Sequence, residues 1–304
     1  MLTSGLGANN IAVTVLEKGL DGQIIKKHVL EGELSRIQEL LFAYVTNSGA
    51  DSVSVINTAT NTILTSIPVP GGSSPFRIAI TPDGTRAYVT NEVNNTVTVI
   101  DTATNIILTT ILLPAASAPS GIAITPDGSR AYVTNSFSNT VSVINTVTHT
   151  ILITIPFPGG SVPTDVAITP DGLRAYVTNF GNSTVAVIDT VTNTILITIP
   201  LPAGSQPIGI AITPDGSRAY VANNGNSTVT VIDTATNTII TTIPLPAGSS
   251  PIGIAISPDG SRAYVANFGR NSVTVLDTAI NAIIATLPAG NIPRGMAITP
   301  ILLF

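Results

Sequence analysis

The chain contains six tyrosines, Tyr44, Tyr88, Tyr132, Tyr176, Tyr220 and Tyr264, and each lies 44 residues from the next. Around each one the sequence reads Ala-Tyr-Val, then Thr or Ala, then Asn. A fixed period of this length marks a repeat array, whose units bury their apolar faces only against one another. The period therefore limits the architecture more than any single residue does.

The unit spanning residues 207–244 reads as four short strands, here called A to D. Strand A, 209–213, is almost wholly apolar and is expected to be buried on both faces. Strand B is 219–223. Strand C, 227–233, alternates Thr and Val, which suits unlike faces. Strand D is 238–244. A Pro-Asp-Gly turn joins A to B: proline presets φ and glycine accepts the positive-φ position. Four antiparallel strands in a unit of roughly 40–45 residues make a β-propeller blade, so the expected class is all-β.

The runs Tyr88-Val-Thr-Asn91, Tyr132-Val-Thr-Asn135 and Tyr176-Val-Thr-Asn179 each follow Pro-Asp-Gly. They resemble the YVTN repeat of surface-layer-type β-propellers, and the resemblance covers residues 43 to about 300. It implies a propeller at the cell surface or outside the cell. Tyr220 and Tyr264 are followed by Val-Ala-Asn, a mild departure.

The repeats open at a B strand near Ala43 and stop after an A strand at 295–299. Pairing that last A strand with the first B strand gives six complete blades and removes exposed edges. The alternative is seven blades, the number that the resemblance implies, with strands at 11–16 and 24–30 completing the last. All three lysines and four of the five glutamates lie within residues 1–39, so a compositional boundary is placed near residue 42. Residues 1–42 are read as a β-hairpin (11–16 with 24–30) and a short amphipathic helix over 33–41, or as a decayed blade. Residues 43–304 are the propeller.

Composition excludes several functions. Charged residues are 10% of the chain and the net charge is −5, which does not suit nucleic acid or an anionic membrane surface. Cysteine is absent, so thiolate metal sites and cysteine nucleophiles are ruled out. No apolar run is long enough to span a bilayer, and residues 1–20 lack the pattern of a signal peptide. With only His28 and His149, the repeats hold no histidine cluster; neither a metal site nor a cofactor is expected.

The commonest repeated polar pairs are Asp83/Arg86, Asp127/Arg130, Asp171/Arg174, Asp215/Arg218 and Asp259/Arg262. They are read as structural, with Asp capping the A–B turn and Arg bridging to a neighbouring blade. The residues Asn57, Asp101, Asn145, Asp189, Asp233 and Asp277, which end strand C, are read as turn acceptors. The sequons at Asn94, Asn182 and Asn226 carry little weight in a chain this rich in Asn and Thr.

Function is sought where the units differ. The B–C loops (48–51, 92–95, 136–139, 180–183, 224–227 and 268–271) and the entries to strand A vary most. Because strands alternate in direction, both should lie on one face. The candidate binding residues there are Phe76, Arg77, Glu92, Phe137, Asp165, Phe180, Phe268, Arg270 and Arg294. The expected function is a non-catalytic scaffold that binds a protein or glycan on this face, with residues 1–42 serving attachment or self-assembly. The alternatives are a lyase- or lactonase-type propeller enzyme and a self-assembling shell component. Such enzymes carry acidic or histidine groups converging on the channel, and no matching set is visible in the sequence.

Overall fold

The computed structural model describes residues 13–18, 24–30, 42–58, 60–290 and 293. The chain divides into two compact units, Met1–Val45 with Ser54–Ser66, and Thr46–Val53 with Ile67–Phe304.

In the first unit, β1 (Val13–Lys18) and β2 (Ile24–Leu30) pair as an antiparallel hairpin. They make a two-stranded sheet of their own and pair with no other described strand. The helix expected over 33–41 lies outside the described residues. Next come β3 (Phe42–Asn47), β4 (Ser52–Asn57) and β5 (Thr62–Pro68), a three-stranded sheet in the order B, C, D. The C-terminal A strand expected at 295–299 lies outside the described residues.

Five complete blades follow. Blade 1 is β6 (Pro75–Ile80), β7 (Arg86–Asn91), β8 (Thr96–Asp101) and β9 (Ile106–Leu112), paired in sequence order and antiparallel throughout. Blade 2 runs from β10 (Pro119–Ile124) to β13 (Thr150–Pro156), and blade 3 from β14 (Pro163–Ile168) to β17 (Thr194–Pro200). Blade 4 runs from β18 (Pro207–Ile212) to β21 (Thr238–Pro244), and blade 5 from β22 (Pro251–Ile256) to β25 (Ala282–Pro288). The fold is the expected all-β propeller, and its blade-type sheets number six among the described residues.

Each turn forms for a local reason. In the A–B turn, Gly84, Gly128, Gly172, Gly216 and Gly260 take φ of 71–74°. The preceding aspartate accepts bonds across the turn, as in Thr81 Oγ1 to Asp83 Oδ1 (2.6 Å) and Thr85 N to Asp83 Oδ1 (3.0 Å). At the end of strand C, Thr104 N donates to Asp101 Oδ1 at 2.8 Å and Thr148 N donates to Asn145 Oδ1 at 2.8 Å. Asn and Asp serve equally there, as the sequence implied.

The hydrophobic core lies between blades. One cluster joins Tyr132, Val141, Val143, Ile155 and Phe157 of blade 2 to Val166, Ala175, Val177, Ala186 and Ile188 of blade 3. Equivalent clusters join blades 1 and 2, 3 and 4, and 4 and 5. Each tyrosine from Tyr88 to Tyr220 is fully buried. Its hydroxyl donates into the next blade, as in Tyr132 Oη to Thr190 O (3.3 Å) and to Asn193 Oδ1 (2.7 Å). Leaving such acceptors buried and unmet costs about 1–3 kcal/mol. In blade 2 the asparagine is replaced by His149, in the same left-handed turn position (φ 56°), and Tyr88 Oη lies 3.1 Å from its Nδ1.

Strand A differs from expectation. It begins earlier, at Pro207 in the unit analysed above, and is only partly buried (buried, half-buried, then buried twice and half-buried twice). Strands B and C are the most deeply buried. The A strands of successive blades pack on one another, so they are the inner strands of this unit. A strand in that place has one side turned to the axis, which accounts for its partial exposure.

Candidate functional site

Some of the repeated polar residues join blades, and others bond within their own. Arg86, Arg130, Arg174 and Arg218 each donate from Nη1 to a threonine carbonyl of the next blade, at 2.5–3.0 Å. Thr90, Thr134 and Thr178 each donate from Oγ1 to a carbonyl on the next inner strand, at Ser120, Thr164 and Ile208. The clefts between blades on the A–B turn side also repeat, each lined by one blade's Thr-Pro-Asp turn and arginine and by the next blade's turn. These features belong to every blade.

On the other side, the B–C loops and the D–A connections interlock. Asn139 Oδ1, in the B–C loop of blade 2, accepts from Val162 N in the following connection at 2.8 Å. Phe180 N and Gly181 N, in the B–C loop of blade 3, donate to Val162 O and Ser161 O of the same connection, each at 3.0 Å. Each connection is thus held between two B–C loops. Ser74, Ala118, Val162, Gln206 and Ser250 take left-handed φ of 44–50° there. For β-branched Val162 that conformation costs of order 1–3 kcal/mol, opposed by the bond to Asn139. The two variable regions therefore share one face.

The face is not uniform. At the loop tips, Gly181, Gly225 and Gly269 lie so close to the carbonyls of Gly160, Gly204 and Gly248 that a Cβ would collide with them. Blades 1 and 2 instead carry Val93 and Phe137 at this position, 63% and 79% exposed. Two adjacent blades thus display apolar side chains where three others have none. The sequence reading singled out Phe137 and missed Val93, although the 44-residue period aligns them.

The other candidates divide. Glu92 is exposed beside Val93, and Phe180 and Phe268 are half-buried. Arg270 is exposed and donates from Nη1 to Ala247 O at 2.8 Å, which ties its loop to the neighbouring connection. Arg294 lies outside the described residues. Phe76 is half-buried, with the Arg77 guanidinium carbon 5.8 Å from its ring centroid.

Arg77 and Asp165 meet. They occupy the same position of strand A in blades 1 and 3, with Gly121 at that position between them. Arg77 Nη2 lies 3.8 Å from Asp165 Oδ2, and the side chains are 26% and 17% exposed. Gly121 is required, since a Cβ there would stand 2.6 Å from Asp165 Cα and 2.8 Å from its Oδ1. Burial pushes the Asp165 carboxyl up from the ordinary range, against the pull of Arg77 and of the bond from Val166 N. Sequence reasoning named both residues but did not pair them or direct them to the inner strands. The signal was present: opposite charges 88 residues apart, two periods, with glycine midway. Among the described residues no group of three or more His, Cys, Asp or Glu is arranged to hold a metal.

The inter-blade bonding and the inner charged pair define a propeller built from near-identical blades. The chain belongs to the family described as "Lactonase, 7-bladed beta-propeller", whose model matches overlapping stretches at residues 38–198, 104–243 and 166–301. The chain is also similar in structure to hydrazine synthase of Kuenenia stuttgartiensis, at 25% identity and a TM-score of 0.75 over 84% of this chain and 85% of that one. It is similar to virginiamycin B lyase of Staphylococcus aureus at 23% identity and a TM-score of 0.76, covering 87% of each chain. A streptogramin B lyase matches at 20% identity and a TM-score of 0.75, over 85% of this chain and 84% of that one. At these identities the two lyases show the fold alone. No curated protein matches the sequence.

Proposed function

We propose that the protein is a non-catalytic binding scaffold that recognises a protein or glycan ligand through the face formed by its B–C loops and D–A connections. The observation that carries this reading is a division of labour. Residues common to every blade are engaged between blades or within their own turns and strands, whereas Glu92, Val93, Phe137, Phe180, Phe268 and Arg270 lie on one interlocked face. Aromatic side chains and arginine on a rigid support are common interface anchors, and Phe137 is the exposed aromatic among these. The YVTN-like repeats add support for a surface-layer-type propeller at the cell surface. On the same reading, residues 1–42 form a separate module for attachment or self-assembly. The test is binding to arrayed glycans and peptides by the wild type and by a Phe180, Phe268 and Arg270 triple alanine variant. Unchanged binding by a folded triple variant would sink the proposal.

A second reading is a lactonase- or lyase-type enzyme, supported by family membership and by a shielded carboxyl, Asp165, beside an arginine on the inner strands. On this reading the wild type hydrolyses a simple lactone and Asp165→Asn lowers kcat by at least about 100-fold, the scale of a lost acid–base group. Hydrolysis at the uncatalysed rate would remove it.

A further inference from the structure

We propose that Arg77 is a receptor for an oxyanion, a carboxylate or phosphate group, carried by the ligand of this face; the proposal rests on reading the face as a binding face. Arg77 is the exception among arginines on the A and B strands of blades 1 to 5. Arg86, Arg130, Arg174 and Arg218 spend their guanidinium donors on carbonyls of the next blade, and Arg262 donates to Asp277 at 2.7 Å. The guanidinium of Arg77 makes no hydrogen bond among the described residues. Only its backbone is engaged: its N–H donates to Thr90 Oγ1 at 3.0 Å, and its carbonyl accepts from that hydroxyl at 3.3 Å. Its Nε is shut away from solvent with no partner, although a buried donor is normally satisfied.

Asp165 does not fill this need. At 3.8 Å it attracts Arg77 but stands beyond hydrogen-bond range. Its Oδ1 already accepts from Val166 N at 3.0 Å. Asp165 therefore places the guanidinium without saturating it. The planar fork of donors matches a carboxylate or phosphate, which accepts two parallel bonds. The side chain is one-quarter exposed while its Nε is closed to solvent, so a ligand group has access at Nη1 and Nη2. Gly121 keeps a side chain away from the Asp165 carboxylate. Lysine would supply the charge but not the fork.

The test is an NMR titration of the 15N-labelled full chain with sodium acetate and with inorganic phosphate, at constant ionic strength. The Arg77 Nε–Hε signal is assigned by its loss in Arg77→Lys. The expected result is a saturable shift of that signal with at least one anion and a dissociation constant of millimolar order. Saturation by acetate alone identifies a carboxylate site, and saturation by phosphate alone a phosphate site. Read through the backbone amides of Gly121 and Val166, Arg77→Lys should weaken binding about tenfold. Asp165→Asn, which removes the competing negative charge, should strengthen it severalfold. A parallel, non-saturating drift of all arginine signals, or an affinity unchanged by Arg77→Lys, would overturn the proposal. Such a failure would leave the loop aromatics to be judged on their own variants, so the two readings fail separately.

Discussion

Each residue of the Tyr-Val-Thr-Asn run has its own task, which explains why the run recurs. In Tyr132-Val-Thr-Asn135 the tyrosine hydroxyl reaches the next blade's turn, Val133 fills the inter-blade core, and Thr134 Oγ1 reaches the next inner strand. Asn135 Nδ2 donates to Thr140 Oγ1 and Ser142 Oγ of its own strand C, at 3.0 and 2.9 Å. Where threonine becomes alanine, at Ala222 and Ala266, the hydroxyl link to the next inner strand is lost. The sequons fit the same logic: Asn94, Asn182 and Asn226 spend their side-chain amides on Ser73, Ser161 and Ser205 of the D–A connections. The turn aspartates give a testable acid response. Asp83, Asp127, Asp171, Asp215 and Asp259 are each held below the ordinary carboxylate range, first by a bond from a Thr or Ser hydroxyl, and Asp259 falls to about 2. A lowered folded-state value gives stability that is present above the unfolded value, about 4, and lost as pH falls through the folded one. Asp165, raised by burial, has the opposite sign: its contribution is present below the unfolded value and lost as pH rises through the folded one. Asp51, Asp101, Asp189, Asp233 and Asp277 are lowered as well, so ten groups against one predict a net loss of stability between about pH 4 and about pH 2. Urea unfolding across that range should show the loss, with a shallower slope in Asp259→Asn; a flat profile would contradict it.

At the scale of elements, the strands were legible because β-branched runs alternate with turns of defined chemistry. Strands B, C and D fall within a residue of their expected places, whereas A starts two residues early. Its burial could not be read correctly, because an apolar run looks the same whether both faces are covered or one is turned to an axis. The interlocking of loops was also invisible in sequence, since it depends on backbone donors such as Gly181 N that no pattern marks. It leads to paired substitutions. Gly181→Ala drives a Cβ into the carbonyl of Gly160 and should cost about 1–3 kcal/mol. Phe137→Ala, at a side chain 79% exposed, should stay within about 0.5 kcal/mol. Denaturant unfolding of both checks the contrast; equal costs would mean that the loop tips of blades 2 and 3 are not built differently.

At the scale of the whole molecule, the 44-residue period was enough to name the architecture, and family membership agrees with it. The family is described as seven-bladed, whereas the blade-type sheets among the described residues number six, and β1 pairs only with β2 there. The candidate site was legible as a list but not as an arrangement. Arg77 and Asp165 were both named, yet their meeting across Gly121 requires knowing that strand A is innermost. Function is harder to read because a repeat puts the same chemistry in every blade, and only departures from it carry information. On the proposed function, those departures form a binding face. The most direct measurement is array binding to glycans and peptides by three folded proteins: the wild type, the Phe180, Phe268 and Arg270 triple alanine variant, and Leu173→Ala on the opposite, A–B turn side. Ligands should be retained by the wild type and by Leu173→Ala but lost by the triple variant. Equal binding by all three, or no binding by the wild type, would contradict the proposed function.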